Sequence, residues 1–126
     1  FDIRTVPGQD TTATLAALEK FVRERVGNRD GYELIFDRPY HDSPNFETSA
    51  DHPLVQAACA LHDQPEADTV ACGCDGSKLA AAGIPTIILG PGDIAQAHTK
   101  DEFIALTDLE AGTTVYIDLA RALLPM

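Results

Sequence analysis

The chain has 126 residues, of which 44% are hydrophobic and 23% are charged. This balance is typical of a folded domain and excludes a disordered or low-complexity protein. No apolar run approaches the roughly 20 residues that are needed to cross a bilayer. Twenty acidic residues against nine basic ones give a net charge of −11, which argues against binding to the phosphate backbone of nucleic acids.

Three cysteines, Cys59, Cys72 and Cys74, are odd in number and lack the spacing of a disulfide framework. They predict reduced thiols in the core of a cytoplasmic protein. A zinc site formed by Cys72, Cys74 and His98 is the alternative interpretation. Structural zinc sites usually have four ligands in paired motifs, which favours the core thiols.

The first 37 residues predict a β-α-β unit. Residues 1–6 alternate as a strand does, and residues 32–36 predict a second strand. Between them, residues 12–26 carry apolar side chains at helical spacing, with Asp10 suited to cap the helix and Gly27 suited to end it. A pair of strands leaves a bare edge, so this unit is expected to be half of a larger domain.

The rest of the chain predicts a parallel sheet with helical crossovers. Residues 37–50 are polar and interrupted by proline, which indicates a connector. Beyond it, predicted helices alternate with apolar segments at 69–72 and 84–89, which predict strands, the second one buried on both faces. A helix is expected after Pro53, capped by Ser49 or Asp51. The last helix is expected to begin with a capping box from Thr107 to Glu110.

Two loops follow these predicted strands, where ligands bind in parallel α/β sheets. The loop 90–99 consists mostly of small residues and presents His98, an imidazole suited to bind a metal ion. Glu102 lies close enough in sequence to orient that ring or a neighbouring amide. A histidine hydrogen-bonded to its own turn is the other interpretation. In the loop 73–76, Asp75 is suited either to cap the next helix or to line a site.

Several motifs occur in an order that resembles the M20 peptidase and deacylase family over essentially the whole chain. In chain order they are Asp2-Ile3-Arg4, Pro7-Gly8, Asp37-Arg38-Pro39, Gly73-Cys74-Asp75-Gly76, Gly83-Ile84-Pro85, Gly90-Pro91-Gly92-Asp93 and Ala97-His98-Thr99-Lys100-Asp101-Glu102. The first three resemble the second half of the family's lid, or dimerisation, domain. The fourth resembles its Gly-Thr-Asp-Ala turn, and the last three resemble its closing block. The similarity is closest to acetylornithine deacetylases, succinyl-diaminopimelate desuccinylases and glutamate carboxypeptidases.

The resemblance implies an α/β fold in three parts. Residues 1–40 would be the β-α-β half of a lid (dimerisation) domain, 41–50 a hinge, and 51–126 the C-terminal portion of a mostly parallel zinc-hydrolase catalytic domain. The family's His-x-Asp motif, and its Glu-Glu pair with the general-base glutamate, would lie upstream, since this chain contains neither. We therefore expect a C-terminal fragment that holds no catalytic residue and is inactive alone.

The resemblance also implies an activity and a set of site residues. The full-length protein would use two Zn²⁺ or Co²⁺ ions per subunit to hydrolyse the amide bond of an N-acyl amino acid or small peptide. His98 would be the metal ligand, with Asp75 and Glu102 supporting the site. Arg4, Arg38, Gly73 and Cys74 would bind a substrate that carries a carboxylate, because a guanidinium matches that group in geometry.

The implied partners are the N-terminal part of the same protein and a second subunit, joined through the lid domain into a homodimer, with no nucleic acid and no membrane. This chain alone is expected to hold zinc weakly. Surface pairs of Arg4 with Asp2 and of Arg38 with Asp37 are the alternative roles of the arginines. The alternative function is a self-contained small α/β module that binds an anion or another ligand at residues 90–92.

Overall fold

A computed structural model of the chain describes residues 2–27, 30–62 and 66–124. These residues contain one short 3-10 turn, Ile94–Gln96, and four helices: α1 Thr11–Val26, α2 Pro53–Leu61, α3 Gly76–Ala81 and α4 Leu106–Leu123. The chain divides into two compact units. The N-terminal unit is Phe1–Glu47 with Ala71–Ile84, and the C-terminal unit is Thr48–Val70 with Pro85–Met126.

No strand is assigned within residues 2–27, 30–62 and 66–124, so the β-α-β unit and the mostly parallel sheet are not confirmed. A strand exists only where its backbone bonds to that of a neighbour, and apolar composition alone cannot provide that neighbour. The segment 84–89 was expected to be buried on both faces, but the side chains of Ile84 and Ile88 are 50% and 46% exposed. Residue 1 of the first predicted strand lies outside the described residues.

The helix α1 forms as predicted. The Asp10 carboxylate accepts a hydrogen bond from the Ala13 amide at 2.6 Å, which confirms the predicted cap. Gly27 ends the helix with φ 63°, a conformation that glycine adopts without steric cost, and its amide donates to the Arg23 carbonyl. None of the 16 residues of α1 is buried.

The helices α2 and α4 pack against each other in the C-terminal unit. Among the described residues, the buried apolar side chains are Val55 and Ala58, and both belong to α2. The cap of α2 is His52, whose Nδ1 accepts from the Leu54 amide at 3.1 Å, so the predicted caps Ser49 and Asp51 are wrong.

The predicted capping box at the start of α4 is also wrong. The N-cap is Ala105, which makes no side-chain hydrogen bond, and the helix begins at Leu106. Thr107 therefore already lies inside the helix, where its hydroxyl cannot act as a cap.

Many large apolar side chains of the described residues are exposed, among them Phe21, Ile35 and Phe103. The pairing of α2 with α4 therefore makes only a small core within the C-terminal unit.

The three cysteines are free thiols. Cys72 is exposed and Cys59 and Cys74 are half-buried, so the prediction of core thiols is wrong for Cys72. Among the helices of the described ranges, none combines the length and the apolar character that a membrane span requires.

Candidate functional site

The start of the loop that carries His98 is held by α4. The Tyr116 hydroxyl donates a hydrogen bond to the Leu89 carbonyl at 2.7 Å. One turn earlier in α4, Gly112 is buried, and a Cβ atom built there would lie 2.8 Å from both Cβ and Cγ of Pro91. Only glycine permits this approach without a shift of the neighbouring atoms. Sequence analysis gave no signal for this contact of Gly112.

The middle of the loop is ordered by its own hydrogen bonds. The Asp93 carboxylate accepts from the Ala95 amide at 2.8 Å and caps the 3-10 turn. The Gln96 carbonyl then accepts from both the amide and the hydroxyl of Thr99, at 3.3 and 2.8 Å. The segment before His98 is thus a defined structure that sequence analysis described only as a loop.

His98 has a left-handed backbone, with φ 61°, and its side chain is exposed. No other non-glycine residue of the described ranges has a positive φ. Such residues are uncommon, and strained backbone concentrates at functional sites. The His98 amide donates to the Glu102 carboxylate at 3.0 Å. Of the two roles predicted for Glu102, the structure therefore shows a contact with an amide, that of His98 itself.

His98 fits the role of a single metal donor, because its imidazole is exposed on an ordered loop. A complete zinc site needs three or four protein ligands. In residues 2–27, 30–62 and 66–124 no group of three or more His, Cys, Asp or Glu side chains could hold a metal ion. The alternative zinc site of Cys72, Cys74 and His98 stays a prediction, because the two cysteines and the histidine lie in different units.

The turn 73–76 lies in the N-terminal unit. Asp75 is the N-cap residue of α3, as the capping interpretation predicted, but its side chain makes no capping hydrogen bond. Its carboxylate accepts from the Lys78 ammonium at 2.7 Å, and this bond and the Lys78 charge lower the pKa of Asp75. Ser77, which sequence analysis missed, is only 2% exposed, and its hydroxyl donates to the Cys74 carbonyl at 3.1 Å. Gly73 is exposed.

The two candidate substrate-binding arginines differ in their contacts. Arg4 donates to the Asp2 carboxylate at 2.8 and 3.1 Å, and also to the Ala71 carbonyl. This is the surface pair that was the alternative for Arg4. Arg38 is exposed and forms no ion pair with any described residue, so the alternative pair with Asp37 is absent there.

A groove of about 460 Å³ lies in the C-terminal unit, between α4 and the start of the His98 loop. Asp93 and Asp108 line it, and the described residues around it include no lysine or arginine. Two carboxylates repel an anion at this place. The groove therefore does not support the alternative function of an anion-binding module at residues 90–92.

Comparison with known proteins identifies the family. Residues 33–122 match peptidase family M20/M25/M40. The chain belongs to this family. The predicted resemblance is thus confirmed, and membership implies an α/β fold although no strand is assigned in the described ranges.

Among its relatives, the chain is 33% identical over 125 residues to an acetylornithine deacetylase of Vibrio cholerae serotype O1, covering 98% of this chain and 31% of that protein. It is 32% identical over 112 residues to an N-acetyl-L-citrulline deacetylase of Xanthomonas campestris pv. campestris, covering 87% and 30%. It is 34% identical over 109 residues to an acetylornithine deacetylase of Yersinia pseudotuberculosis serotype O:1b, covering 86% and 27%. The chain spans about a third of the length of these relatives. No solved structure gives a significant match.

Proposed function

We propose that this chain is the C-terminal part of a two-metal amidohydrolase that cleaves the amide bond of an N-acyl amino acid or a small peptide. Membership of the M20 family and the deacetylase relatives support the reaction class. The observation that carries the assignment of the site is His98, which is exposed and held in a left-handed backbone on an ordered loop. The chain alone is proposed to be inactive and to bind zinc weakly.

His98 would supply one imidazole to the metal centre, and the remaining ligands and the general-base glutamate would come from outside this chain. Two divalent ions, zinc or cobalt, supply an activated water and polarise the amide carbonyl when they are bound. Glu102 fixes the backbone of His98 through its amide, which sets the direction in which the ring leaves the loop.

Arg38 is the better of the two candidates to bind the substrate carboxylate. Its guanidinium forms no ion pair with a described residue, whereas Arg4 would first have to leave Asp2 and the Ala71 carbonyl. Gly73 and Cys74 stay proposed substrate contacts of the adjacent turn. Asp75 is proposed to support that turn, with its charge balanced by Lys78.

The domain boundaries stay a prediction, namely a lid half at 1–40, a hinge at 41–50 and a catalytic portion at 51–126. The predicted boundaries place residues 71–84 in the catalytic portion, whereas the structure groups Ala71–Ile84 with the N-terminal unit. A homodimer formed through the lid and a cytoplasmic location are likewise proposals.

The decisive experiment replaces His98 with alanine in the full-length protein proposed to contain this chain. Hydrolysis of an N-acyl amino acid should fall by at least about 10²-fold, the scale of losing one major electrostatic contributor. Metal analysis after dialysis should show a loss of bound zinc. His41→Ala is the matched control, because His41 is also exposed and its ring nitrogen shares a hydrogen bond with the Ser43 hydroxyl at 2.8 Å. Near-normal turnover by His98→Ala would refute the assignment.

The substrate proposal is tested with Arg38→Ala and two substrates that differ only in a carboxylate or a neutral amide. With the carboxylate substrate, kcat/KM should fall by a factor that corresponds to about 2–5 kcal/mol. Arg38→Lys should rescue only part of this loss, since an ammonium cannot form two parallel hydrogen bonds. With the amide substrate, the wild type and Arg38→Ala should be nearly equal. An equal loss with both substrates would show that Arg38 serves the fold instead.

A further inference from the structure

We propose that Tyr116 and Gly112 are positioning residues through which α4 sets the place of His98. This inference rests on the proposed role of His98 as a metal ligand and adds two residues that do not touch the metal. Both contacts lie within the C-terminal unit, as does the whole loop from Leu89 to Glu102.

The first contact fixes the residue at which the loop begins. Tyr116 is 48% exposed, so its hydroxyl could bond to water, yet it donates to the Leu89 carbonyl at 2.7 Å. This is a good hydrogen-bond length for a hydroxyl donor. Because Leu89 is the last residue before the Gly90-Pro91-Gly92 sequence, the bond anchors the chain at the point where it turns into the loop.

The second contact fixes Pro91, two residues after Leu89. Gly112 precedes Tyr116 by four positions, so the two residues lie on the same face of α4. The missing side chain of Gly112 leaves room for the Pro91 ring, which would be 2.8 Å from an added Cβ. The ring of Pro91 also restricts its own φ, so the contact holds a stiff part of the chain.

The loop transmits this position to His98 because it has little freedom of its own. Gly92 has a positive φ of 86°, which favours glycine. A Cβ atom added to Gly92 would lie 3.6 Å from the Ile104 side chain. The 3-10 turn Ile94–Gln96 follows, and the Glu102 carboxylate then binds the His98 amide. The loop is thus closed at its end by Glu102 and held at its beginning by α4, with His98 between the two.

The test compares Tyr116→Phe with Tyr32→Phe in the full-length protein. Each change removes one hydroxyl, but Tyr32 is 76% exposed and its hydroxyl makes no hydrogen bond in the structure described. Two quantities are measured: hydrogen exchange of the amides of residues 90–102 in the metal-free protein, and the zinc dissociation constant by competition with a chelator. Thermal unfolding reports on global stability.

For Tyr116→Phe we expect exchange of the 90–102 amides to rise about fivefold, the factor that loss of one ordinary hydrogen bond produces. Zinc affinity should fall by a similar factor, while amides of α2 and the thermal midpoint change little. Tyr32→Phe should leave all three quantities unchanged. A purely structural role of Tyr116 would instead speed exchange throughout the C-terminal unit and would leave the zinc affinity of the folded protein intact.

The other outcomes separate this inference from the proposed function. If His98→Ala weakens zinc binding but Tyr116→Phe does not, the positioning role is wrong and the metal-ligand role stands. If neither variant weakens zinc binding, the proposed function fails and the positioning role fails with it. Faster exchange in the loop without weaker zinc binding would also overturn the positioning role.

Discussion

The two units of the chain use their helices differently. In the N-terminal unit, α1 has 16 residues and none of them is buried. In the C-terminal unit, α2 has only nine residues, yet Val55 and Ala58 are buried where it packs with α4. Both helices carry apolar residues at helical spacing. The difference teaches that this spacing predicts a helix and the face it offers for packing, whereas burial depends on a second element that reaches that face.

The largest effect that should sharpen this comparison comes from matched Val→Ala changes in the 126-residue chain. Val55 is 4% exposed, so Val55→Ala should lower the free energy of unfolding by roughly 2 kcal/mol, from two lost carbon atoms and the cavity they leave. Val22 is only half-buried in α1, and Val22→Ala should change the free energy of unfolding by less than about 0.5 kcal/mol. Chemical denaturation followed by circular dichroism measures both. Equal losses of unfolding free energy in the two variants would contradict the difference in burial between α1 and α2.

Gly112→Ala tests the closest packing in the C-terminal unit. Alanine favours a helix over glycine by about 1 kcal/mol. Overpacking against Pro91 costs about 1–3 kcal/mol, so we expect a net loss of roughly 1 kcal/mol in thermal unfolding. Gly73→Ala is the control, because an added Cβ at Gly73 meets nothing within 4 Å. A stabilised Gly112→Ala variant would mean that Pro91 moves aside and that the contact is not tight.

Asp10→Ala tests the exposed helix of the N-terminal unit. Since α1 buries none of its residues, its stability depends on local bonds such as the Asp10 cap. Loss of the cap should cost this helix about 1 kcal/mol and should fray its first turn. Amide exchange of residues 12–16 by NMR measures this. In α2, which is held by packing, His52→Ala should produce a smaller effect on the corresponding turn. The reverse order would contradict the view that packing holds α2 more firmly than α1.

The smallest effect concerns the ion pair of Asp75 and Lys78. Lys78 lowers the pKa of Asp75, so the pair stabilises the fold at neutral pH, and this contribution is lost as the pH falls through the Asp75 pKa. Lys78→Met should raise the acid titration midpoint of Asp75 toward its ordinary value, as followed by carbon NMR of the carboxyl. Lys20→Met should leave that midpoint unchanged, since Lys20 pairs with Glu24. An unchanged titration midpoint of Asp75 in Lys78→Met would show that Lys78 does not stabilise the Asp75 carboxylate.

Part of the fold and of the site could be predicted from particular residues. Asp10 and Gly27 marked both ends of α1 correctly, because each acts within a few residues of its own position. The closing block around His98 indicated the family, which residues 33–122 confirm. The contacts of Tyr116 and Gly112 could not be predicted, since their partners lie about 20 or more residues earlier in the chain.

The sequence by itself determined the positions of the helices and the family, because helix hydrogen bonds and caps join residues close in the chain and family motifs are strings of neighbouring residues. The tertiary structure alone decided the rest. It joined Arg4 to the Ala71 carbonyl, while Arg38 formed no ion pair with a described residue, and it placed Pro91 against Gly112. Burial and sheet pairing need partners from distant parts of a chain, and a local sequence pattern does not predict whether such a partner makes contact.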